Sequence, residues 1–173
     1  MPKPILNIAD VEFRKVGHGT NQPGAENAPE KFQAQVGDIG RRIGAQKLGY
    51  NLTVVPPGKR AWPFHNHRVN EEMFFVLEGE GEVRVGEDVF PIRKGDVVGH
   101  PPGGPETAHQ IVNTSTVELK YLAVSTVATP EICDYPDSGK FAVMTVRPGP
   151  DGKPKLWRFA ARDGDGLDYF DGE

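Results

Sequence analysis

The chain reads as an all-β protein, a sandwich or barrel of short antiparallel strands, and three observations carry that expectation. Segments 50–55, 72–77, 81–85, 88–92, 96–99, 108–113 and 119–127 are short and rich in β-branched and aromatic residues. They recur about every ten residues, with no helical apolar period between them. Between them lie turn signals such as Pro56-Pro57-Gly58, Glu78-Gly79-Glu80-Gly81, Gly86-Glu87-Asp88 and Arg93-Lys94-Gly95-Asp96. The 21 glycines and 16 prolines of the 173 residues fit many turns and no long helix.

In chain order, residues 1–45 are expected to form an N-terminal arm and capping segment. A short helix is predicted over 28–32, and a strand between 27 and 48 is expected to close one side of the barrel. Residues 46–127 hold the barrel. Residues 128–173 form a C-terminal extension, with strands predicted at 143–146 and 156–160 about a turn at 149–154. Tyr135-Pro136-Asp137-Ser138-Gly139 is turn chemistry. The tail 163–173 is acidic and glycine-rich. Its Asp163-Gly-Asp-Gly-Leu-Asp168 run lacks the distal glutamate and frame of a calcium loop, so it reads as solvated.

Composition points to a single domain large enough to bury a core. A net charge of −4 and a pI near 5.8 suggest no nucleic-acid partner. No apolar run is long enough to span a bilayer, and residues 1–10 lack the apolar stretch of a secretory signal. Cys133 is the single cysteine, which excludes an internal disulfide and fits a reducing cytoplasm.

The chemistry concentrates between Gly58 and Asn113. His65 and His67 are separated by Asn66, Glu72 follows, and His109 lies further along. Alternate residues of a strand point to one side, so His65 and His67 share a face. Imidazole and carboxylate together suit first-row divalent metals. Glu72 is preferred to Glu71 because it shares strand parity with the apolar Phe74 and Val76.

These residues sit in two blocks: Gly58, His65, His67, Glu72 and Gly79, then Gly95, Pro101, Gly103, His109 and Asn113. Together they resemble the two signature motifs of the cupin superfamily. The departures are a leading spacer longer by one residue and five residues, 104–108, where the family usually has two. The resemblance implies a double-stranded β-helix, the cupin jelly roll, with a single barrel flanked by the N-terminal arm and the C-terminal extension. It implies one divalent ion (Zn, Fe, Mn or Ni) held by His65, His67, Glu72 and His109, with a coordination position left open. It also implies a homodimer. The runs 101–110 and 134–140 look like a group of small bacterial cupins of unassigned activity, some labelled sugar-phosphate isomerases.

Around such an ion, Phe64, Phe74, Val76, Ile111 and Tyr121 are expected to line a substrate pocket. Tyr50, Arg60, Trp62 and Gln110 are placed toward its mouth. Arg60 could hold a carboxylate or phosphate bidentately, although a solvated loop arginine is the favoured reading. His100 and Glu106 are candidate catalytic acid–base residues. For His100 the plainer reading is a strand-end residue bonded to a loop, and Asn113 reads as a structural turn residue.

Three functions compete. One is a metal-dependent enzyme acting on a small polar or oxyanionic metabolite by isomerisation, oxygenation or decarboxylation. Another is a binding or sensing module without turnover, and the third a dimer whose metal staples the barrel. The chain has no room for a DNA-binding helix-turn-helix beside the barrel, which favours the enzyme over a regulator. No nucleic-acid or membrane partner is expected.

Overall fold

The structure is a computed structural model and describes residues 3–22 and 24–173. Its strands, in chain order, are β1 (Arg14–Gly17), β2 (Gln33–Asp38), β3 (Leu48–Val55), β4 (Asn66–His67), β5 (Glu72–Glu78), β6 (Glu80–Val85) and β7 (Asp88–Arg93). They continue as β8 (Val97–His100), β9 (His109–Val112), β10 (Leu119–Thr126), β11 (Glu131–Tyr135), β12 (Lys140–Pro148) and β13 (Pro154–Arg162). A single-turn helix, α1 (Gly40–Ile43), follows β2. The seven strand segments expected from the sequence all form, within a residue or two of their expected ends.

Three antiparallel sheets result. A six-stranded sheet runs β1-β2-β3-β10-β5-β8, a three-stranded sheet runs β7-β6-β9, and a four-stranded sheet runs β13-β12-β11-β4. The first two enclose the core. Strict alternation on β5 and β10 sends Phe74, Val76, Leu119, Tyr121 and Ala123 inward, where they meet Val83, Ile92 and Ile111. Each large side chain buried there contributes about 1.5–3 kcal/mol. The opposite face of the six-stranded sheet carries Leu52, Tyr50, Leu77 and Leu122, covered by Val11, Leu6, Ile39 and Ile43 of the N-terminal arm and α1. This is an all-β jelly roll.

The hairpin turn at Gly79 shows how tightly the barrel closes. Its φ is +80°, and a Cβ there would run into the Glu118 carbonyl of the neighbouring loop, so only glycine fits.

The segment 28–32 departs from expectation, for no helix forms there. It is too short to bury an apolar face, and its backbone is better used against the barrel rim. Arg60 N–H donates to Lys31 O (3.0 Å) and Gln33 N–H donates to Arg60 O (3.1 Å). Three strands lay outside the sequence expectation: β1, β4 and β11. The pair β4–β11 brings Asn66 opposite Asp134 and His67 opposite Cys133, so the extension is hydrogen-bonded to the strand that carries His67.

Candidate metal centre

His65 and His109 face each other across an isolated antiparallel bridge. His109 N–H donates to His65 O (2.7 Å), and His65 N–H donates to His109 O (3.2 Å). His67 ends β4, and Glu72 opens β5 on the same side as Phe74 and Val76. Glu71 is exposed on the other side. The fold thus brings four side chains separated by up to 44 positions into one cluster. One ligand atom from each of His65, His67, Glu72 and His109 lies within 4.8 Å of the others.

The Glu72 carboxylate lies 3.0 Å from His109 Nε2 and 3.4 Å from His67 Nε2. Beyond the cluster, His65 Nδ1 is 2.8 Å from Pro63 O and His109 Nδ1 is 3.3 Å from Thr107 O. Donation to Pro63 O assigns the His65 proton to Nδ1 and leaves its Nε2 with a lone pair, whereas His109 Nε2–H donates to the Glu72 carboxylate. His67 Nε2 is buried and makes no hydrogen bond despite its nearness to Glu72.

Burial would raise the Glu72 carboxyl, but the contacts with His109 and His67 outweigh it and hold it well below the usual carboxylate range. Burial and the neighbouring His109 pull His65 down to about 4. At His67 burial also lowers, yet Cys133 and Glu72 outweigh it and raise the imidazole to about 10.

These residues fit a divalent ion. Two ligands on opposite sides of an ion, each about 2.1 Å away, stand about 4.2 Å apart, and the four ligand atoms all lie within 4.8 Å of one another. The orphaned His67 nitrogen would gain a partner.

An ion can take His67 only as the neutral ring, so it must displace the proton that the metal-free site holds. Binding near neutral pH is therefore expected to release about one proton, with affinity rising about tenfold per pH unit below the raised value. Calorimetric titration with a divalent ion in two buffers of different ionisation enthalpy reads that proton directly. Equal heats in the two buffers would contradict the assignment.

The sequence reasoning missed what holds His67. Its Nδ1 lies 3.3 Å from Cys133 Sγ and 3.5 Å from a Glu131 carboxylate oxygen, both on β11. Glu131 is buried. Its carboxylate accepts from the backbone N–H groups of Arg68 (3.1 Å), Val69 (3.1 Å), Asn70 (2.8 Å) and Ile132 (2.9 Å), and from the Asn70 side chain. It therefore shapes the loop between His67 and Glu72. Asn66, fully buried, donates to Gly103 O and Asp134, each at 2.9 Å. No spacing signal marks Glu131, because three of its partners are backbone groups more than sixty positions away.

The two acid–base candidates are placed differently. His100 is buried and stacks on His109, with ring centroids 3.8 Å apart and planes at 16°. Burial and His109 pull its pKa down to about 3, so the ring is neutral at physiological pH. Glu106 belongs elsewhere. Its carboxylate is exposed and accepts from Gly104 N–H (2.9 Å), closing the turn Pro105–Thr107 that the extra loop residues form. That turn draws it away from the cluster.

Beside the cluster opens a cavity of about 700 Å³, and of the four clustered residues His65 is on its wall. Of the expected pocket residues, Phe64 lines it. Phe74, Val76, Ile111 and Tyr121 pack in the core instead, with Phe74 also touching the rings of His100 and His109. Gln110, Trp62, Arg60 and Tyr135 are on the wall. Arg60 is not a solvated loop residue. It is half-buried, and its Nε is enclosed without a hydrogen-bond partner. Tyr135 lies nearly parallel to His65 at 6.0 Å, and burial foremost pushes its phenol up to about 12. Asn113 donates to Val55 O and Val117 O and is structural.

Barrel, paired motifs and the clustered His and Glu residues are of the cupin type. Residues 51–125 match the Cupin_2 family, described as a cupin domain, and the chain is of the cupin type. An uncharacterised protein of Methanocaldococcus jannaschii is 36% identical over 72 residues, which span 42% of this chain and 54% of that relative. A solved structure from Acidithiobacillus ferrooxidans, provisionally named a sugar phosphate isomerase, is 25% identical with a TM-score of 0.66, covering 90% of this chain and 92% of that one. Another, named a sugar phosphate isomerase from a cupin superfamily, comes from Silicibacter pomeroyi. It is 23% identical with a TM-score of 0.71, over 96% and 98% of the two chains, and that likeness speaks to the fold. Among the described residues no helix is long and apolar enough to cross a membrane.

Proposed function

We propose that the chain is a divalent-metal cupin enzyme acting on a small polar or oxyanionic metabolite, with isomerisation as the favoured reaction. The observation that carries this reading is the opening of the large cavity onto His65, one of four clustered ligand residues. His65, His67, Glu72 and His109 would hold the ion. A bound divalent ion supplies a Lewis acid for a carbonyl, enolate or carboxylate oxygen.

The chain's own residues supply the rest. The carbonyls of Pro63 and Thr107 fix the rings of His65 and His109, and β11 fixes that of His67. Tyr135, protonated at neutral pH, is placed to donate a hydrogen bond to an oxygen of a molecule beside His65. Phe64 and Trp62 give the wall apolar surface. The isomerase reading draws support from the name given to the Acidithiobacillus ferrooxidans structure.

One observation favours the alternative of binding without turnover. Glu106 stands away from the cluster and His100 is buried behind His109, so neither candidate base lines the cavity. The test is elemental analysis of protein purified without added metal, followed by proton NMR in deuterium oxide with aldose and ketose phosphates. Metal-dependent exchange of a carbon-bound proton is expected. Bound metal with no exchange or conversion of any substrate would leave the binding module.

A further inference from the structure

The walls of the cavity carry more positive charge than the protein uses. Lys31, Arg60, Lys140 and Arg158 all line it, and none has a carboxylate partner among the described residues. The acidic residues on the same walls are engaged. Asp137 takes both contacts from Arg84 Nη1, at 2.9 and 3.1 Å, and Glu26 accepts from Gly24 N–H at 3.2 Å.

Arg60 is the inner cation. Its backbone is bonded on both sides to the 31–33 segment, which fixes its position, and Nη1 makes one long contact to Gln110 Oε1 (3.4 Å) while Nε has none. A half-buried guanidinium left without an anion is costly, and its fork matches phosphate oxygens. The outer cations arrive from the other side. Lys140 Nζ lies 5.0 Å over the Tyr135 ring, which also lies nearly parallel to His65. Arg158, on β13, reaches the N-terminal loop, where a Cβ on Gly24 would come within 2.8 Å of its Nη2.

We propose that this cavity is a phosphate site, in which Arg60, Lys140 and Arg158 hold the phosphate end of a phosphorylated small molecule. Its other end extends along Tyr135 to His65. The placement of that second end rests on the function proposed above; the phosphate site does not. Four unpaired cations around one space of this volume exceed what a single carboxylate needs, which selects a dianion. Three of the four, Lys31, Lys140 and Arg158, lie outside residues 51–125. The barrel would thus supply the metal ligands, and the flanking segments would choose the ligand.

The test is calorimetric titration of the full chain with inorganic phosphate at low salt, with succinate as the carboxylate arm. Saturable phosphate binding is expected, tighter than succinate. Arg60→Gln and Arg158→Gln should each weaken it about tenfold, as the loss of one charge-assisted hydrogen bond implies. Lys155→Gln, an exposed lysine away from the cavity, should leave it within about twofold. Arg158 is exposed, so its variant cannot fail merely by unfolding. The double variant His65→Ala, His67→Ala should still bind phosphate, which separates this site from the metal reading. Absent phosphate binding, equal or tighter succinate binding, or affinity unchanged in both arginine variants, overturns the proposal even if the metal binds.

Discussion

Replacing His65 and His67 together with alanine is expected to abolish binding of a divalent ion while the barrel stays folded. Two of four ligands go. If the roughly 10–16 kcal/mol of a four-ligand zinc site is shared evenly, about 5 kcal/mol or more is lost. The fold should tolerate the change because neither ring belongs to the core packed around Phe74, Val76, Leu119 and Tyr121. The bridge between positions 65 and 109 uses backbone groups that alanine retains. Elemental analysis after dialysis and far-ultraviolet circular dichroism measure the two halves. Stoichiometric metal in the double variant would sink the site assignment.

Glu131→Ala should be the most damaging single change outside the core. The carboxylate accepts from four backbone N–H groups and the Asn70 side chain, and alanine leaves buried donors without partners. At 1–3 kcal/mol for each unsatisfied group, with water reaching some of them, a loss of about 3 kcal/mol or more is expected in urea unfolding. The released 68–70 loop lies between His67 and Glu72, so metal affinity should also fall, by about 10- to 100-fold. Glu131→Gln should not rescue it, because its NH₂ would meet N–H donors. A midpoint shift corresponding to less than about 1 kcal/mol would show that the strap carries little.

How much of this was legible in the chain depends on where the information resides. The seven barrel strands show in local alternation and turn chemistry, since each buries one face against the core. The four ligand residues show in spacing, because strand parity links His65 to His67 and Glu72 to Phe74. By contrast β4 is two residues long, and no periodicity can mark it. Glu131 and Cys133 matter through contacts with residues 67–70 that the β4–β11 pairing brings close, and no strand signal marks their segment in sequence. Arg60 reads as a loop arginine until the fold lays residues 31–33 alongside it. Glu106 was suggested by nearness to His109 in sequence, but its carboxylate closes its own turn.

The β4–β11 pair has a consequence for the order of events during folding. His67 and Cys133 are 66 positions apart, and β11 follows every strand of the two barrel sheets, so this pair cannot form until those strands have been synthesised. Separation alone does not set this order, for inside the barrel β3–β10 pairs Val55 with Leu119 and Leu48 with Thr126, closures just as long. A nascent chain can therefore assemble the barrel while the His67 ring still lacks the support of Cys133 and Glu131. Competence to capture an ion would then mark the arrival of β11, the segment that completes the support of the site.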